Sequence, residues 1–180
     1  PRGAESADNA LPPPPAAPPE AAPRRTDANA APAVVSAGAA LAIVAAVDEH
    51  EIAAAEQARA KQVTGDVLEY ANLLQREHAA NLKAGEALNR GAAGPADTVE
   101  AETRRTKGRA ELAALDMKSG ADYQKAYIDA MVKGHGEVLA LLETRLIPSA
   151  TDEQLRNFLT NSRDHVAMHL ERAKSLQAAL

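Results

Sequence analysis

The segment VLEYANLLQREHAANLKAGEAL, residues 67–88, contains the pattern that decides the fold of this chain. Its apolar residues recur at intervals of three and four. Because an α-helix turns by about 100° per residue, this spacing places them on one face of a helix. His78 lies in the middle of that apolar face. The segment therefore predicts a helix that buries one face and carries an ionisable side chain into the core.

The chain on both sides of this segment is also predicted to be helical. Capping-box spacing at Asp97 with Glu100, and at Thr151 with Gln154, predicts two helix starts, and Pro148 predicts a helix end. A sheet is not expected, since the chain has one phenylalanine, three tyrosines and no tryptophan. The predicted helices cover residues 38–62, 66–90, 97–117, 120–146 and 151–180.

Each of the four long helices carries an ionisable residue within its apolar face. These residues are Glu51, His78, His135 and His169, with His165 nearer the edge of the last helix. Counted from the nearest turn at about 1.5 Å per residue, Glu51 is level with His78 and His135 is level with His165. Unpaired ionisable groups in a dry core are costly, so we expect them to pair, hold water or bind something.

The predicted helix over 97–117 determines the expected topology. About twenty residues at roughly 1.5 Å each span about 30 Å, the length of a helix bundle. Such a crossover returns the chain to the opposite end. Two antiparallel helix pairs joined by one long crossover form the ferritin-like arrangement. We therefore expect an all-α, ferritin-like four-helix bundle over residues 39–180.

The first part of the chain has a different composition. Nine of the eleven prolines lie at or before Pro32, so residues 1–38 are predicted to be a disordered Pro/Ala-rich arm. The uncharged run over 33–47 is shorter than the roughly 20 apolar residues of a membrane span, and it is interpreted as the start of the first helix. Membrane association is expected to be peripheral or through a removed signal.

Charge and cysteine content exclude several classes of function. The formal net charge is −5 and no basic block is present, so nucleic acid is not an expected partner. The absence of cysteine excludes disulfides and thiolate metal sites. The chain also lacks a phosphate-binding loop, a nucleophile elbow and a zincin motif, so no catalytic residues are predicted.

Several segments together resemble a known family. They are HEIAAAEQARAK, EYANLLQREHAANLKAGEAL, SGADYQKAYIDAMVKGHGEVLALLETRLIPSATDEQLRNF and HLERAKSL. Over about residues 39–180 they resemble the ferritin-like domain of unknown function 4142, an uncharacterised family of exported bacterial proteins. The shared pattern falls on Glu51, Glu77-His78, Ser119-Gly120 with Tyr123 and Tyr127, His135, and His169-Leu170.

The resemblance implies a ferritin-like bundle that is periplasmic or otherwise exported to the bacterial envelope, and it implies no established activity. Two positions depart from the family pattern. His50 stands where asparagine is common, and His165 is not generally a histidine. His50 lies off the apolar face and is predicted to be a solvated residue.

A di-iron site is not expected, because ferritin-like carboxylate sites use Glu-x-x-His motifs. The residues three positions before His78, His135, His165 and His169 are Gln75, Val132, Ser162 and Val166. The candidate metal ligands are instead Glu51, His78, His135, His165 and His169, a set that suits one zinc, copper or mononuclear iron ion.

The alternative is a hydrogen-bonded layer without metal. In it, Glu51 accepts from His78 or His135, and Tyr127 or Asn81 satisfies the rest. Two functions therefore stay open. The chain is either a binding or structural module of the envelope, with an envelope protein as partner, or a metal-binding protein.

Overall fold

The computed structural model describes residues 34–91 and 98–180, and within those ranges all regular structure is helical, as predicted. Most of the predicted arm, residues 1–33, lies outside them. None of the described helices is long and apolar enough to cross a membrane. The helices are α1 (Ala37–Ala60), α2 (Gly65–Asn89), α3 (Val99–Asp116), α4 (Gly120–Leu141), a π-helical turn (Leu142–Leu146), α5 (Ile147–Ser149) and α6 (Glu153–Ala179).

Three helix boundaries differ from the sequence prediction. The cap of α6 is Asp152 and not Thr151, because the Asp152 carboxylate accepts from the backbone N–H of Leu155 at 2.9 Å. Pro148 does not end α4 directly, since the chain continues through the π-helical turn into α5. Pro148 lies in the first turn of α5, where a helix tolerates proline. The cap of α3 is Thr98 and not the predicted Asp97, because the Thr98 hydroxyl accepts from the backbone N–H of Ala101 at 3.1 Å. Asp97 itself lies outside the described residues.

The long helices form two antiparallel pairs. In α1 and α2, Asp48 contacts His78 on the far side of the connecting turn. In α4 and α6, the Gln177 amide donates to Asp129 at 2.8 Å, so the end of α6 lies beside the first half of α4. The pairs meet where α2 lies antiparallel to α6.

Helix α3 lies along the outside of α1 and runs parallel to it. Arg105 pairs with Glu49 at 2.8 Å, and the Gln57 amide donates to the Leu112 carbonyl at 2.9 Å. Residue numbers therefore rise together in the two helices. After α3 the chain turns into α4, whose first residue, Gly120, has a φ of +56°, a left-handed conformation that favours glycine. Helices α4 and α2 consequently begin at the same end of the molecule.

A layer of polar side chains separates two apolar clusters in the core. The layer consists of Asp48, Glu51, His78, His135, Ser162 and His169, each at most 4 % exposed. One cluster is built on Leu41, Ile43, Leu142, Leu146 and Leu159. The other is built on Tyr70, Leu74, Tyr127, Ile128 and Met131. The long helices thus bring buried ionisable residues together at mid-height.

Candidate metal centre

Three histidine rings from three helices meet in this polar layer. His78 comes from α2, His135 from α4 and His169 from α6, and one nitrogen of each lies within 4.8 Å of the others. The ring centroids are 5.2 to 5.8 Å apart, and neighbouring rings are tilted or edge-on rather than stacked. We call these three residues the histidine triad.

Each triad histidine has one ring nitrogen held by a neighbouring group. His78 Nδ1 lies 2.8 Å from the Asp48 carboxylate, and His169 Nε2 lies 2.7 Å from the Glu77 carboxylate. His135 Nδ1 donates to the Met131 carbonyl, one helical turn earlier, at 2.9 Å. These bonds fix the orientation of every ring.

The second nitrogen of each ring is buried and has no hydrogen-bond partner among the described residues. These atoms are His78 Nε2, His135 Nε2 and His169 Nδ1. A carbonyl can only accept, so His135 carries its proton on Nδ1 and presents a lone pair at Nε2. The triad therefore offers buried nitrogen atoms that an ion or a polar molecule could bind.

Glu51 lies beside the triad. Its Oε1 is 3.9 Å from His135 Nδ1, on the side of that ring facing away from the unpartnered nitrogen. Its Oε2 is buried and, like the hydroxyl of Tyr127, has no hydrogen-bond partner in the described ranges. Glu51 thus does not accept from a histidine, contrary to the hydrogen-bonded layer considered from sequence. Asp48 accepts from His78 instead.

The structure leaves His165 outside the triad. Its ring centroid is 6.4 Å from that of His169, and the residue is exposed. One helical turn separates the two residues, and the rotation of α6 directs only His169 inward. His50 is not the solvated residue predicted from sequence. It is half-buried between α1 and α3, with Nε2 3.0 Å from Glu111.

The surroundings move the pKa values of the three histidines in different directions. Burial alone would lower the pKa of His78, but the hydrogen bond to Asp48 and the nearby Glu51 carboxylate raise it above its usual range. Burial lowers the pKa of His135, and Glu51 offsets only part of that effect. Burial and the adjacent His78 lower the pKa of His169 to about 4. Two of the three rings are thus held in the neutral, metal-binding form.

Two cavities lie next to this layer. A small one of about 20 Å³ is lined by His78, His165, His169 and other polar residues, and by apolar side chains that include Val47 and Val138. A larger pocket of about 360 Å³ opens between α1, α3 and α4. Val47 and Val138 line both cavities, and Glu51 lines the larger one.

Sequence reasoning missed Asp48, and it singled out Glu77 only as part of the family pattern, although these two residues orient two of the three rings. Asp48 could have been found, because it lies three residues before Glu51 on the same face of α1. Glu77 is adjacent to His78 in sequence and so lies off the apolar face. Only the approach of α6 brings it to His169.

Comparisons with known proteins identify a family but no activity. No curated protein and no solved structure matches the chain. One family, described as a domain of unknown function (DUF4142), matches residues 21–176. That range contains the whole triad and begins inside the segment predicted to be an arm. The resemblance inferred from the sequence is therefore confirmed, and the chain belongs to the DUF4142 family.

Proposed function

We propose that this chain binds one divalent transition-metal ion within its helical core, with His78, His135 and His169 as ligands. The observation that carries the proposal is the arrangement of the ring nitrogens. Each ring has one nitrogen held by a protein acceptor and one buried nitrogen without a partner in the described residues, and one nitrogen of each ring lies within 4.8 Å of the others. Three imidazoles in this arrangement are a common metal-binding set.

The outer partners support metal binding over a simple polar layer. Histidines that bind metals almost always donate their other N–H to a carboxylate or a backbone carbonyl, which fixes the tautomer and the ring orientation. Asp48, Glu77 and the Met131 carbonyl occupy those positions here. A layer held only by hydrogen bonds would be expected to use both nitrogens of each ring.

The free-energy cost of the buried nitrogens without partners also favours metal binding. A buried polar group without a partner costs about 1–3 kcal/mol, and the triad contains three such atoms. An ion bound by these nitrogens would satisfy all three at once. Metal–nitrogen bonds of about 2.0–2.1 Å need ligand atoms somewhat closer than 4.8 Å, which small side-chain rotations can achieve.

The ligand types favour zinc, copper or a single iron ion. Glu51 stays a candidate fourth ligand because its Oε2 is buried without a hydrogen-bond partner in the described chain, although its Oε1 faces the bonded nitrogen of His135, 3.9 Å away. A di-iron centre is disfavoured, since the two carboxylates nearest the rings, Asp48 and Glu77, are already bonded to histidines. Iron storage is therefore not the proposed role.

We further assign the domain to the ferritin-like four-helix class and its site of action to the bacterial envelope. The parallel course of α2 and α4, with α3 crossing between them along the outside, supports the first assignment. The second rests on the resemblance to exported proteins. A binding or structural module of the envelope is the competing function, in which the triad would have no ion.

Titration of chelator-treated protein with zinc, copper(II) and iron(II), the last without oxygen, tests the proposal. We expect one bound ion per chain, and a melting temperature that rises with metal concentration because only the folded state holds the site. Asparagine substitution of His135 or His169 is expected to abolish both effects.

His165→Asn is the matched control, because His165 lies on α6 near the triad but is exposed. It should bind metal as the wild-type chain does. Metal binding that survives in His135→Asn and His169→Asn, or no binding by the wild-type chain, would contradict the proposal and favour the structural module.

A further inference from the structure

The pocket between α1, α3 and α4 has a feature that an ordinary surface groove lacks. Glu51, only 3 % exposed, lies in its wall, and the Oε2 atom is buried without a hydrogen-bond partner in the described part of the chain. The same carboxylate has its other oxygen 3.9 Å from the ring of His135. Glu51 therefore lies between the pocket and the triad.

We propose that this pocket is the access route for the metal ion, and that Glu51 is the group that transfers a divalent cation from the pocket to the triad. This inference rests on the proposed function, because it specifies how the ion would reach that site. The ligand is a hydrated divalent cation, since a carboxylate is a suitable partner for an ion that is losing water.

The sizes of the two cavities support this order of events. One water occupies about 30 Å³ of liquid, so an ion with six waters needs roughly 200 Å³. The pocket of about 360 Å³ is wide enough for such an ion. The cavity beside His78 and His169, about 20 Å³, has room for a single water-sized particle. An ion must therefore lose most of its water before it enters the small cavity, and Glu51, in the wall of the larger pocket, is a carboxylate that can replace that water.

Val47 and Val138 form the rest of the boundary, because both line the pocket and the small cavity. Neither valine can replace the water that an ion loses, whereas Glu51 can. Besides Glu51, the pocket lining carries both signs of charge: Arg104, Lys107 and Lys133 are basic, and Glu111 and Glu137 are acidic. These charges therefore give no strong preference for cations, and the buried carboxylate provides it.

A glycine keeps the space next to Glu51 open. A Cβ atom added at Gly134 would lie 3.9 Å from Glu51 Oε1, whereas one added at Gly136 would meet nothing within 4 Å. A large side chain at position 134 would thus extend over the carboxylate from the pocket side. The same change at position 136, two residues along α4, offers a matched control.

A chelator-chase experiment measures the rate at which the metal-free protein takes up the ion. Metal-free protein is mixed with zinc chloride or copper(II) chloride, whichever the wild-type chain binds at equilibrium. Excess chelator is added after set times, and protein-bound metal is counted. We expect Gly134→Ala to slow loading slightly and Gly134→Leu to slow it roughly tenfold, a typical size for an effect on association rates. Gly136→Leu should load at the wild-type rate, and all three variants should finally bind one ion.

His165 offers a rival route. It is exposed and also lines the small cavity, so an ion entering that cavity directly from solvent would pass it. If His165→Ala slows loading while Gly134→Leu does not, the access route through Glu51 is wrong, although the metal site stands. If the wild-type chain binds no metal at equilibrium, the proposed function fails, and the route fails with it.

Discussion

Asp48 joins two side chains that the polar layer needs in fixed positions. One carboxylate oxygen lies 2.8 Å from His78 Nδ1, and the other accepts from the Asn81 amide at 2.9 Å. Asn81 in turn accepts from the Ser162 hydroxyl at 2.9 Å. The chain of bonds therefore runs from α2 through α1 and back to α2 and α6. Burial raises the pKa of Asp48, and the hydrogen bond to His78 offsets part of that effect.

Asp48→Ala is expected to weaken both stability and metal binding. His78 Nδ1 and the Asn81 amide lose their buried acceptor, so the free energy of unfolding should fall by about 1–3 kcal/mol in urea. With the ring of His78 no longer oriented, metal affinity should fall by about 10–100-fold.

The neighbouring change Glu49→Ala is the control for this prediction. Glu49 is 45 % exposed and pairs with Arg105 on the surface, so its removal should change stability by less than about 1 kcal/mol and leave metal affinity unaltered. Equal losses in the two variants would contradict the role assigned to Asp48.

At the scale of the helices, the contact between α3 and α1 depends on a glycine. A Cβ atom added at Gly108 would lie only 2.7 Å from His50 Nδ1 and 3.0 Å from His50 Cγ. The His50 ring is held in that position by Glu111, 3.0 Å away. Glycine at position 108 therefore allows α3 to approach α1 closely enough to form one wall of the pocket.

Gly108→Ala should destabilise the protein, although alanine is the better helix former by about 1 kcal/mol. The added methyl group must displace α3 or break the bond between His50 and Glu111, and overpacking of this kind costs about 1–3 kcal/mol. Thermal or urea unfolding measures the net effect. Gly136→Ala, where a Cβ atom meets nothing within 4 Å, should stabilise instead.

A double substitution checks the cause of that destabilisation. In a His50→Ala background the obstructing ring is absent, so Gly108→Ala should there be neutral or stabilising. If Gly108→Ala is equally harmful with and without His50, the close contact is not the reason.

At the scale of the whole molecule, the polar layer makes the stability of the metal-free protein depend on pH. His135 and His169 have lowered pKa values in the folded state, so the stability associated with them is present above about pH 6.5, the ordinary histidine value, and is lost on acidification. His78 has a raised pKa, so its contribution is present below that value and is lost as the pH rises through its folded pKa.

The effect of His169 can be isolated by comparing how steeply the free energy of unfolding falls on acidification in different variants. Because its folded pKa is about 4, acidification from about pH 6.5 to 4 should cost up to about 3 kcal/mol at this residue. Urea unfolding of metal-free His169→Gln should show a shallower loss of stability over that range than the wild-type chain. His165→Gln should retain the wild-type slope, and equal slopes in all three proteins would refute the assignment.

The sequence by itself determined which residues are helical and which faces are buried, because periodicity and capping are local properties of the chain. The inward positions of Glu51, His78, His135 and His169 follow from their spacing among apolar neighbours. The family assignment was also accessible from sequence, since the quoted segments were sufficient to identify it.

Only the tertiary structure decided which of these residues meet. Counting residues from the turn made Glu51 level with His78, yet Asp48, one turn away on the same face, is the residue bonded to it. Such counts cannot distinguish positions one turn apart, because the rotation and offset of packed helices depend on the side chains between them.

The same limit explains the choice between His165 and His169. The count from the turn before the last helix treated residues 150–152 as helix, although they lie between α5 and α6 and add none of the helical rise of about 1.5 Å per residue. The match in depth between His165 and His135 therefore did not settle which of the two histidines of α6 joins the triad. The rotation of α6 about its own axis then decides that His169 enters the triad and His165 stays exposed, and that rotation is set by packing against α2 and α4.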